Sequence, residues 1–319
     1  MKKLLWGAIY VLVFIVSFVG AIAATIMAPH SFTGIDAVEW RDSMGTIETD
    51  IPYAEGELNK FDLYLPADRA RATKLVVYIH AGGFTGGDKA DDEGIAKFFA
   101  SLGYVAATIN YSLRTEANTA NISDMSREIQ QGVAAIVAAS SERGYALDGM
   151  VIAGGSAGGT LALIYAYRDG ANAPIPVEAV INMVGPASFE PASWFGVNDG
   201  YASTESAQAG AGFVSLLTGD EVSAEMMRSG AYRDSLAPIT PTRLVTPEAP
   251  PTLLAYGALD KVAPFAASVE LLEALQRNGV PHDALVFPNS GHALNRDPEM
   301  STQLGEKIRE YLSRYAPLG

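Results

Sequence analysis

Short apolar segments that alternate with helical stretches constrain the fold of this chain more than any other feature. From about residue 45 onward, short apolar runs alternate with stretches in which apolar residues recur at helical spacing. Several runs are apolar almost throughout, which is typical of strands buried on both faces of a parallel sheet. Because the helical stretches follow strands, the pattern predicts an α/β domain with a mostly parallel, doubly wound sheet. The predicted strands cover residues 61–66, 74–81, 104–111, 150–155, 179–185, 252–256 and 284–288, and the predicted helices cover 94–102, 123–141, 157–168, 264–278 and 298–315.

One segment interrupts this alternation. Residues 187–250 contain no convincing strand, but they contain two helix-like pieces near 207–217 and 223–234. We therefore predict a helical cap inserted over one edge of the sheet. Its large apolar side chains could cover a pocket, or they could equally anchor the insertion on the core. They are Trp194, Phe195, Tyr201, Phe213, Leu216, Met226, Met227 and Tyr232.

The N-terminus predicts a membrane segment. Residues 4–28 form a run of 25 residues without a charge, and a helix of that length measures roughly 37 Å, enough to span a bilayer. Lys2 and Lys3 precede the run, so the positive-inside rule places everything that follows outside the cytoplasm. The alternative is a secretory signal cleaved after the small residues 21–23, which would release the protein. Residues 29–45 then form a stem, and residues 46–319 form the folded domain.

Composition excludes several classes of site and partner. The chain has 22 basic and 36 acidic residues and a net charge of −14, so nucleic acid is a poor partner. The absence of cysteine excludes disulfides, thiolate metal sites, iron–sulfur clusters and a cysteine nucleophile. With four histidines in all, the sequence offers little for a histidine-rich metal site. We expect no metal and no organic cofactor.

The first chemical motif is Gly154-Gly155-Ser156-Ala157-Gly158, which joins a predicted strand to a predicted helix. A serine on such a tight turn adopts strained backbone angles, and the flanking glycines let strand and helix approach closely. The turn lifts the hydroxyl above the sheet, and the helix N-terminus behind it favours developing negative charge. The motif nominates Ser156 as a nucleophile. The alternative is a small-residue turn with an inert serine.

A glycine loop, His80-Ala81-Gly82-Gly83-Phe84, comes directly after the predicted strand residues 74–79. When a serine attacks a carbonyl group, negative charge develops on the carbonyl oxygen, and backbone N–H groups can stabilise it. Gly82, Gly83 and Ala157 are the candidates for this oxyanion hole. A flexible turn is the alternative, whereas a phosphate cradle is disfavoured because neither phosphate-binding glycine spacing is present. We interpret His80 as a residue that shapes the loop, and Asp88 as one that either ties the loop down or is solvated.

These two motifs, in this order, resemble the esterase and lipase branch of the α/β-hydrolase superfamily. Among its members with a His-Gly-Gly loop, the similarity extends to hormone-sensitive-lipase-like carboxylesterases, feruloyl and acetyl-xylan esterases, and arylformamidases. It covers roughly residues 48–316 in element order. Two departures are Ala81, where lipase-like members have a glycine, and Asn110-Tyr111-Ser112-Leu113, where many have Tyr-Arg-Leu. The resemblance implies an α/β-hydrolase fold with a helical cap, here preceded by one transmembrane helix.

The resemblance also implies the order serine, then Asp or Glu, then His. In an open parallel sheet, functional loops leave the carboxyl ends of the strands. His292 follows the predicted strand 284–288, whereas His282 precedes it and falls at the opposite edge. We therefore predict that His292 is the base. The alternative is a histidine on a surface loop.

Asp260 is the predicted acid on the same grounds. It follows the predicted strand 252–256, so it belongs to a loop at the carboxyl edge. Of four other aspartates compared with it, Asp283 begins a strand, and the rest lie in the insertion: Asp199, Asp220 and Asp234. The alternative role for Asp260 is to cap the helix that begins near residue 264.

The expected function is hydrolysis of a small-molecule carboxylic ester through an acyl-enzyme intermediate. An amide hydrolase, either an arylformamidase or a serine peptidase, would use the same three side chains. A non-catalytic binding protein is the third interpretation, because a fold alone does not fix function.

Overall fold

The structure, a computed structural model, describes residues 38–195 and 201–319. The predicted membrane segment 4–28 and residues 29–37 of the predicted stem lie outside the described residues. Within the two described ranges, no helix combines the length and the apolar character needed to cross a membrane.

The described residues form one eight-stranded sheet in the order β1-β2-β4-β3-β5-β6-β7-β8. Strands β1 and β2 run antiparallel to their neighbours, and the pairs from β4 to β8 are parallel. This confirms the prediction of a mostly parallel sheet. The strands are β1 (Gly45–Pro52), β2 (Lys60–Pro66), β3 (Lys74–Ile79), β4 (Val105–Ile109), β5 (Gly149–Gly155), β6 (Val177–Met183), β7 (Thr252–Gly257) and β8 (His282–Phe287).

Helices follow the strands as the sequence predicts, with short 3-10 or π-helical turns at Asp42–Met44, Lys89–Asp92, Tyr165–Asp169, Gly170–Asn172 and Ala237–Ile239. The α-helices are α1 (Glu93–Ser101), α2 (Ile122–Glu142), α3 (Ala157–Ile164), α4 (Pro191–Phe195), α5 (Thr204–Thr218), α6 (Ala224–Ser229), α7 (Tyr232–Leu236), α8 (Pro241–Leu244), α9 (Phe265–Arg277) and α10 (Pro298–Tyr315).

The sheet separates two hydrophobic cores. Successive side chains of a strand point to opposite faces, so on β3 Leu75, Val77 and Ile79 enter one core while Val76 and Tyr78 enter the other. Helices α2, α3 and α9 cover the first core, and α1 and α10 cover the second. Burial on both faces explains why the central strands are apolar almost throughout.

Two local features differ from the sequence prediction. Strand β1 was not expected, because it is an edge strand with no fully buried residue and its sequence is largely polar. The predicted helix at 223–234 is two helices, α6 and α7. Gly230 separates them in the left-handed region at φ 85°, where a glycine commonly ends a helix.

The inserted segment between β6 and β7 is helical in its described part, with α4 to α8 and a 3-10 turn. Tyr201, Met227 and Tyr232 are buried in the first core, and most of the other apolar residues pack against it. Anchoring on the core therefore accounts for most of these residues. Phe195 and Leu216 are the exposed members.

Candidate active site

Ser156 lies on a tight turn between β5 and α3. Its backbone has φ 50° and ψ −119°, a left-handed conformation that is uncommon for a residue with a side chain. A Cβ atom on Gly158 would lie 2.0 Å from the carbonyl oxygen of Ile79. Glycine at this position therefore lets α3 start directly against β3, as the motif predicts.

His292 brings Ser156 and Asp260 into one hydrogen-bonded chain. Its Nε2 lies 2.8 Å from Ser156 Oγ, and its Nδ1 lies 2.7 Å from Asp260 Oδ2. An ionised carboxylate only accepts hydrogen bonds, so Nδ1 carries the hydrogen and Nε2 is free to accept from the serine. The side chains of His292 and Asp260 are 11% and 1% exposed, so little water competes for these bonds.

Asp260 uses its two carboxylate oxygens differently. While Oδ2 faces the imidazole, Oδ1 accepts hydrogen bonds from the backbone N–H groups of Val262 and Ala263 at 2.8 and 3.0 Å. These bonds fix the turn that leads into α9, whose own N-cap is Pro264. Asp260 therefore bonds the imidazole and the turn before α9, and it does not cap that helix, which was the alternative that the sequence left open.

The two histidines that follow Ser156 in the sequence lie at opposite ends of strand β8. His282 is the first residue of β8 and pairs with Thr252 at the start of β7. Its Nδ1 lies 2.7 Å from the carbonyl oxygen of Val280. His292 follows the other end of the same strand, so only this histidine reaches Ser156.

The glycine loop contains backbone N–H groups without partners. Gly82 and Gly83 are buried, with φ 128° and 60°. Within the described residues, neither their N–H groups nor that of Ala157 meets a hydrogen-bond acceptor. Buried backbone N–H groups are rarely left unpaired, so these three amides are suited to an oxygen that arrives with a ligand.

His80 packs at the start of this loop and contacts both Tyr111 and Ala81. Its ring stacks on Tyr111 with the centroids 4.3 Å apart, and its Nδ1 lies 2.6 Å from the carbonyl oxygen of Ala81. The Tyr111 hydroxyl donates to the His80 carbonyl oxygen at 3.0 Å. Burial lowers the pKa of His80, so the ring is neutral and acts as a packing element.

Sequence reasoning missed a buried polar pair beneath Ser156. The side-chain amide of Asn182 donates to the Tyr256 hydroxyl at 2.7 Å, and that hydroxyl donates to the Gly185 carbonyl oxygen at 2.8 Å. A Cβ atom on Gly159 would lie 2.2 Å from Asn182 Oδ1, so the pair packs directly against α3. The signal was an asparagine inside the otherwise apolar run 179–184.

No metal cluster accompanies these residues. In the part of the chain that the structure describes, no group of three or more imidazole or carboxylate side chains is placed to hold a metal ion.

Comparison with known proteins places the chain in a family. The BD-FAE family model matches residues 61–275, about two thirds of the chain. The chain belongs to the BD-FAE family. This is an α/β-hydrolase esterase family, as the motifs suggest. The matched range includes the glycine loop, Ser156 and Asp260, and it ends before His292.

Curated relatives match over part of their length. A probable isoprenylcysteine alpha-carbonyl methylesterase of Oryza sativa subsp. japonica is 22% identical over 253 residues, which cover 76% of this chain and 56% of that protein. A kynurenine formamidase of Danio rerio is 28% identical over 120 residues, which cover 38% of this chain and 39% of that protein. The chain thus spans about half the length of these relatives or less.

A solved structure shares the fold over nearly its whole length. Esterase B of Lactobacillus rhamnosis superimposes with a TM-score of 0.68 at 20% identity, covering 98% of this chain and 96% of that chain. The chain therefore has the α/β-hydrolase fold.

Proposed function

We propose that this member of the BD-FAE family hydrolyses carboxylic esters, with Ser156 as nucleophile, His292 as base and Asp260 as the acid that orients it. The observation that carries the proposal is the hydrogen-bonded chain from Asp260 through His292 to Ser156. The unpartnered amides of Gly82, Gly83 and Ala157 add the second half of the machinery, because ester cleavage needs both a nucleophile and an oxyanion hole.

The first half-reaction forms an acyl-enzyme. His292 Nε2 takes the hydroxyl proton as Ser156 Oγ attacks the carbonyl carbon, and the carbonyl oxygen becomes negatively charged. The amides of Gly82, Gly83 and Ala157 donate to that oxygen. Asp260 keeps the imidazole oriented and stabilises its positive charge. The bond to the alcohol then breaks, and the imidazolium gives its proton to the departing oxygen.

The second half-reaction restores the enzyme. Water replaces the alcohol, gives a proton to His292 Nε2 and attacks the acyl carbon. The tetrahedral intermediate collapses, the acid leaves, and Ser156 regains its proton from the imidazolium. One ester and one water thus give one carboxylic acid and one alcohol, without a metal or an organic cofactor in any step.

A formamide is the second candidate substrate class. The similarity to a kynurenine formamidase favours it, because attack on a formyl carbonyl uses the same serine, base and oxyanion hole. The leaving group would then be an amine, which His292 must protonate as the C–N bond breaks. The similarity to a methylesterase over 76% of this chain favours the ester as the first choice.

Turnover of matched substrates tests the proposal. We would compare a short p-nitrophenyl ester, an N-formylated aniline and a chromogenic peptide, each with the wild-type protein and with Ser156→Ala. Ester hydrolysis that depends on Ser156 supports the proposal, and preferential hydrolysis of the formamide or the peptide supports the amide alternatives. Binding of substrate without turnover would identify a non-catalytic protein.

We also propose that residues 4–28 anchor the protein in a membrane with its catalytic domain outside the cytoplasm. The support is the uncharged 25-residue run and the two lysines before it. Membrane fractionation with N-terminal sequencing tests this. A full-length chain in the membrane pellet agrees with an anchor, a soluble chain that begins near residue 24 indicates a cleaved signal, and a cytoplasmic catalytic domain contradicts both topologies.

A further inference from the structure

The glycine loop after β3 has a strained backbone. Gly82, Gly83, Phe84 and Gly87 all have positive φ values, between 60° and 128°, a region that costs energy for a residue with a side chain such as Phe84. The N–H groups of Thr85 and Gly86 donate to the Gly82 carbonyl oxygen at 3.1 and 3.0 Å. These bonds close the turn, but they do not fix it relative to Ser156.

One end of the loop is fixed to β3 through His80. Its other end is fixed through Asp88 and Lys89, at the start of the 3-10 turn. Asn110, just beyond β4, donates to Asp88 Oδ2 at 2.8 Å and accepts from the Lys89 backbone N–H at 2.6 Å. One asparagine therefore holds two successive residues of the loop, which supports the loop-tying role considered for Asp88.

The Lys89 side chain extends this attachment to two more strands. Its ammonium lies 2.8 Å from Asp62 on β2 and 2.9 Å from Asp50 on β1. The lysine side chain is 6% exposed and that of Asp62 is 4% exposed. Burial alone would lower the pKa of Lys89, but the hydrogen bonds that its ammonium donates to Asp62 and Asp50 raise it above its ordinary value. The lysine is therefore charged, and it bonds both aspartates.

A β-bulge in the edge strand β1 places Asp50 next to Asp62, beside this lysine. The register of β1 against β2 shifts between Glu48 and Ile51, and Asp50 within this bulge has φ 59°. The Asp50 N–H donates to Asp62 Oδ1 at 2.8 Å, which places both carboxylates around the ammonium. Bulges commonly redirect a side chain next to a functional site.

We propose that Lys89 is a positioning residue for the oxyanion hole: its buried bonds to Asp62 and Asp50 hold the glycine loop so that the N–H groups of Gly82 and Gly83 face the oxygen bound at Ser156. The inference rests on the proposed function, because it concerns the same reaction. It adds a group that touches neither substrate nor the reacting atoms. Lys89 acts by fixing the far end of a strained loop to strands β1 and β2.

Positioning of this kind affects the transition state more than the ground state. The carbonyl oxygen gains its charge only as the serine attacks, so the loop amides stabilise the tetrahedral species preferentially. A displaced loop should therefore lower kcat and leave KM nearly unchanged. It should also weaken the binding of a trifluoromethyl ketone, an inhibitor that adds to the serine and places an oxyanion in the same hole.

The test variant is the double substitution Lys89→Met with Asp62→Leu. It removes the buried pair without leaving a buried charge unpaired. The protein offers a matched control in Lys74, whose side chain is 10% exposed and lies 2.6 Å from Glu178 and 3.0 Å from Asp148. Lys74 is the first residue of β3, so it lies at the opposite end of the parallel strands from Ser156. Its control double is Lys74→Met with Glu178→Leu.

Both doubles are compared for melting temperature, ester kcat and KM, and inhibition by the trifluoromethyl ketone. We expect similar losses of melting temperature in both. Only the Lys89 double should lose kcat, by about 10-fold to 100-fold with KM within about threefold, which is the range expected when donors are displaced by up to an ångström. The affinity of the Lys89 double variant for the trifluoromethyl ketone should fall by a similar factor.

Equal kcat values and equal inhibitor affinities in the two doubles would overturn the inference. If the Lys89 double is not recovered folded, Asp50→Asn decides, because it removes one of the two carboxylates at a side chain that is 64% exposed. A loss of kcat and inhibitor affinity of about threefold supports the inference, and unchanged values overturn it. Wild-type ester turnover that survives Ser156→Ala would instead overturn the proposed function, and the inference with it.

Discussion

Ser290 donates a hydrogen bond from its hydroxyl to the carboxylate of Asp297 at 2.6 Å, and this bond closes the loop that carries His292. Asp297 also accepts from the side-chain amide of Asn289 at 2.8 Å and from its backbone N–H. One buried carboxylate thus joins both ends of the loop. A residue outside the Ser156–His292–Asp260 chain therefore closes the loop that places His292 beside Ser156.

The first prediction concerns Asp297 and acid stability. Burial alone would raise the pKa of Asp297, but the hydrogen bonds from Ser290 and Asn289 hold it below its ordinary value. A carboxylate with a depressed folded pKa stabilises the protein above its unfolded pKa of about 3.9, and this stabilisation is lost as pH falls through the folded pKa. Asp297→Asn should therefore reduce stability at neutral pH and flatten its decline below about pH 4.

Urea unfolding of wild type and Asp297→Asn between neutral pH and the acid limit measures this effect. The control is Asp220→Asn, at an exposed residue of the inserted segment between β6 and β7. Parallel stability curves for wild type and Asp297→Asn across the acid range would contradict the role given to Asp297.

The second prediction concerns the nucleophile. Ser156→Ala should lower kcat for a p-nitrophenyl ester by about 10⁴-fold or more, because only binding and the oxyanion amides then remain. Mass spectrometry after reaction with an alkyl phosphonate should find an adduct on wild type and none on the variant. Ser206→Ala, a partly buried serine of α5, is the control. A variant at position 156 that keeps a tenth of wild-type turnover would rule out this serine as nucleophile.

The third prediction separates the two late histidines. His292→Ala should cost as much turnover as the loss of Ser156, and the double variant should lose little more, because the pair acts as one unit. His282→Ala should leave turnover nearly unchanged, since His282 lies at the opposite edge of the sheet. Single-variant and double-variant kinetics on one ester measure this. Additive losses at positions 156 and 292 would show that the two side chains act independently.

Much of the fold was predictable because the central strands are buried on both faces. Strands β3, β5 and β7 are buried at every residue, so burial leaves an unbroken apolar signal in the sequence. Strand β1 leaves no such signal, because it is a partly exposed edge strand held by backbone pairing with β2. The break between α6 and α7 depends on one glycine conformation, which helical spacing does not reveal.

The hydrogen-bonded chain of Ser156, His292 and Asp260 was predictable because the positions of these residues follow from chain order and strand direction. Ser156, Asp260 and His292 each follow the carboxyl end of a parallel strand, so topology alone brings them together. No comparable rule predicts which buried polar side chains will pair around the site. Lys89 and Asp62 meet because one loop crosses the ends of two strands, and neither residue type nor spacing identifies the partner.

The last prediction compares two glycines that differ in backbone conformation and in the space around them. A Cβ atom on Gly82 would lie 1.8 Å from the Gly86 carbonyl oxygen, and φ there is 128°, whereas a Cβ atom on Gly94 in α1 would meet no atom within 4 Å. Gly82→Ala should therefore displace the loop and lower kcat by about 100-fold or more, as expected when an oxyanion donor is lost. Gly94→Ala should leave kcat unchanged and raise stability by up to about 1 kcal/mol, because alanine favours a helix. Ester kinetics and thermal unfolding of both variants decide the point. Normal kcat in a folded Gly82→Ala protein would show that the amides of this loop do not stabilise the transition state, and would leave Ala157 as the remaining candidate donor.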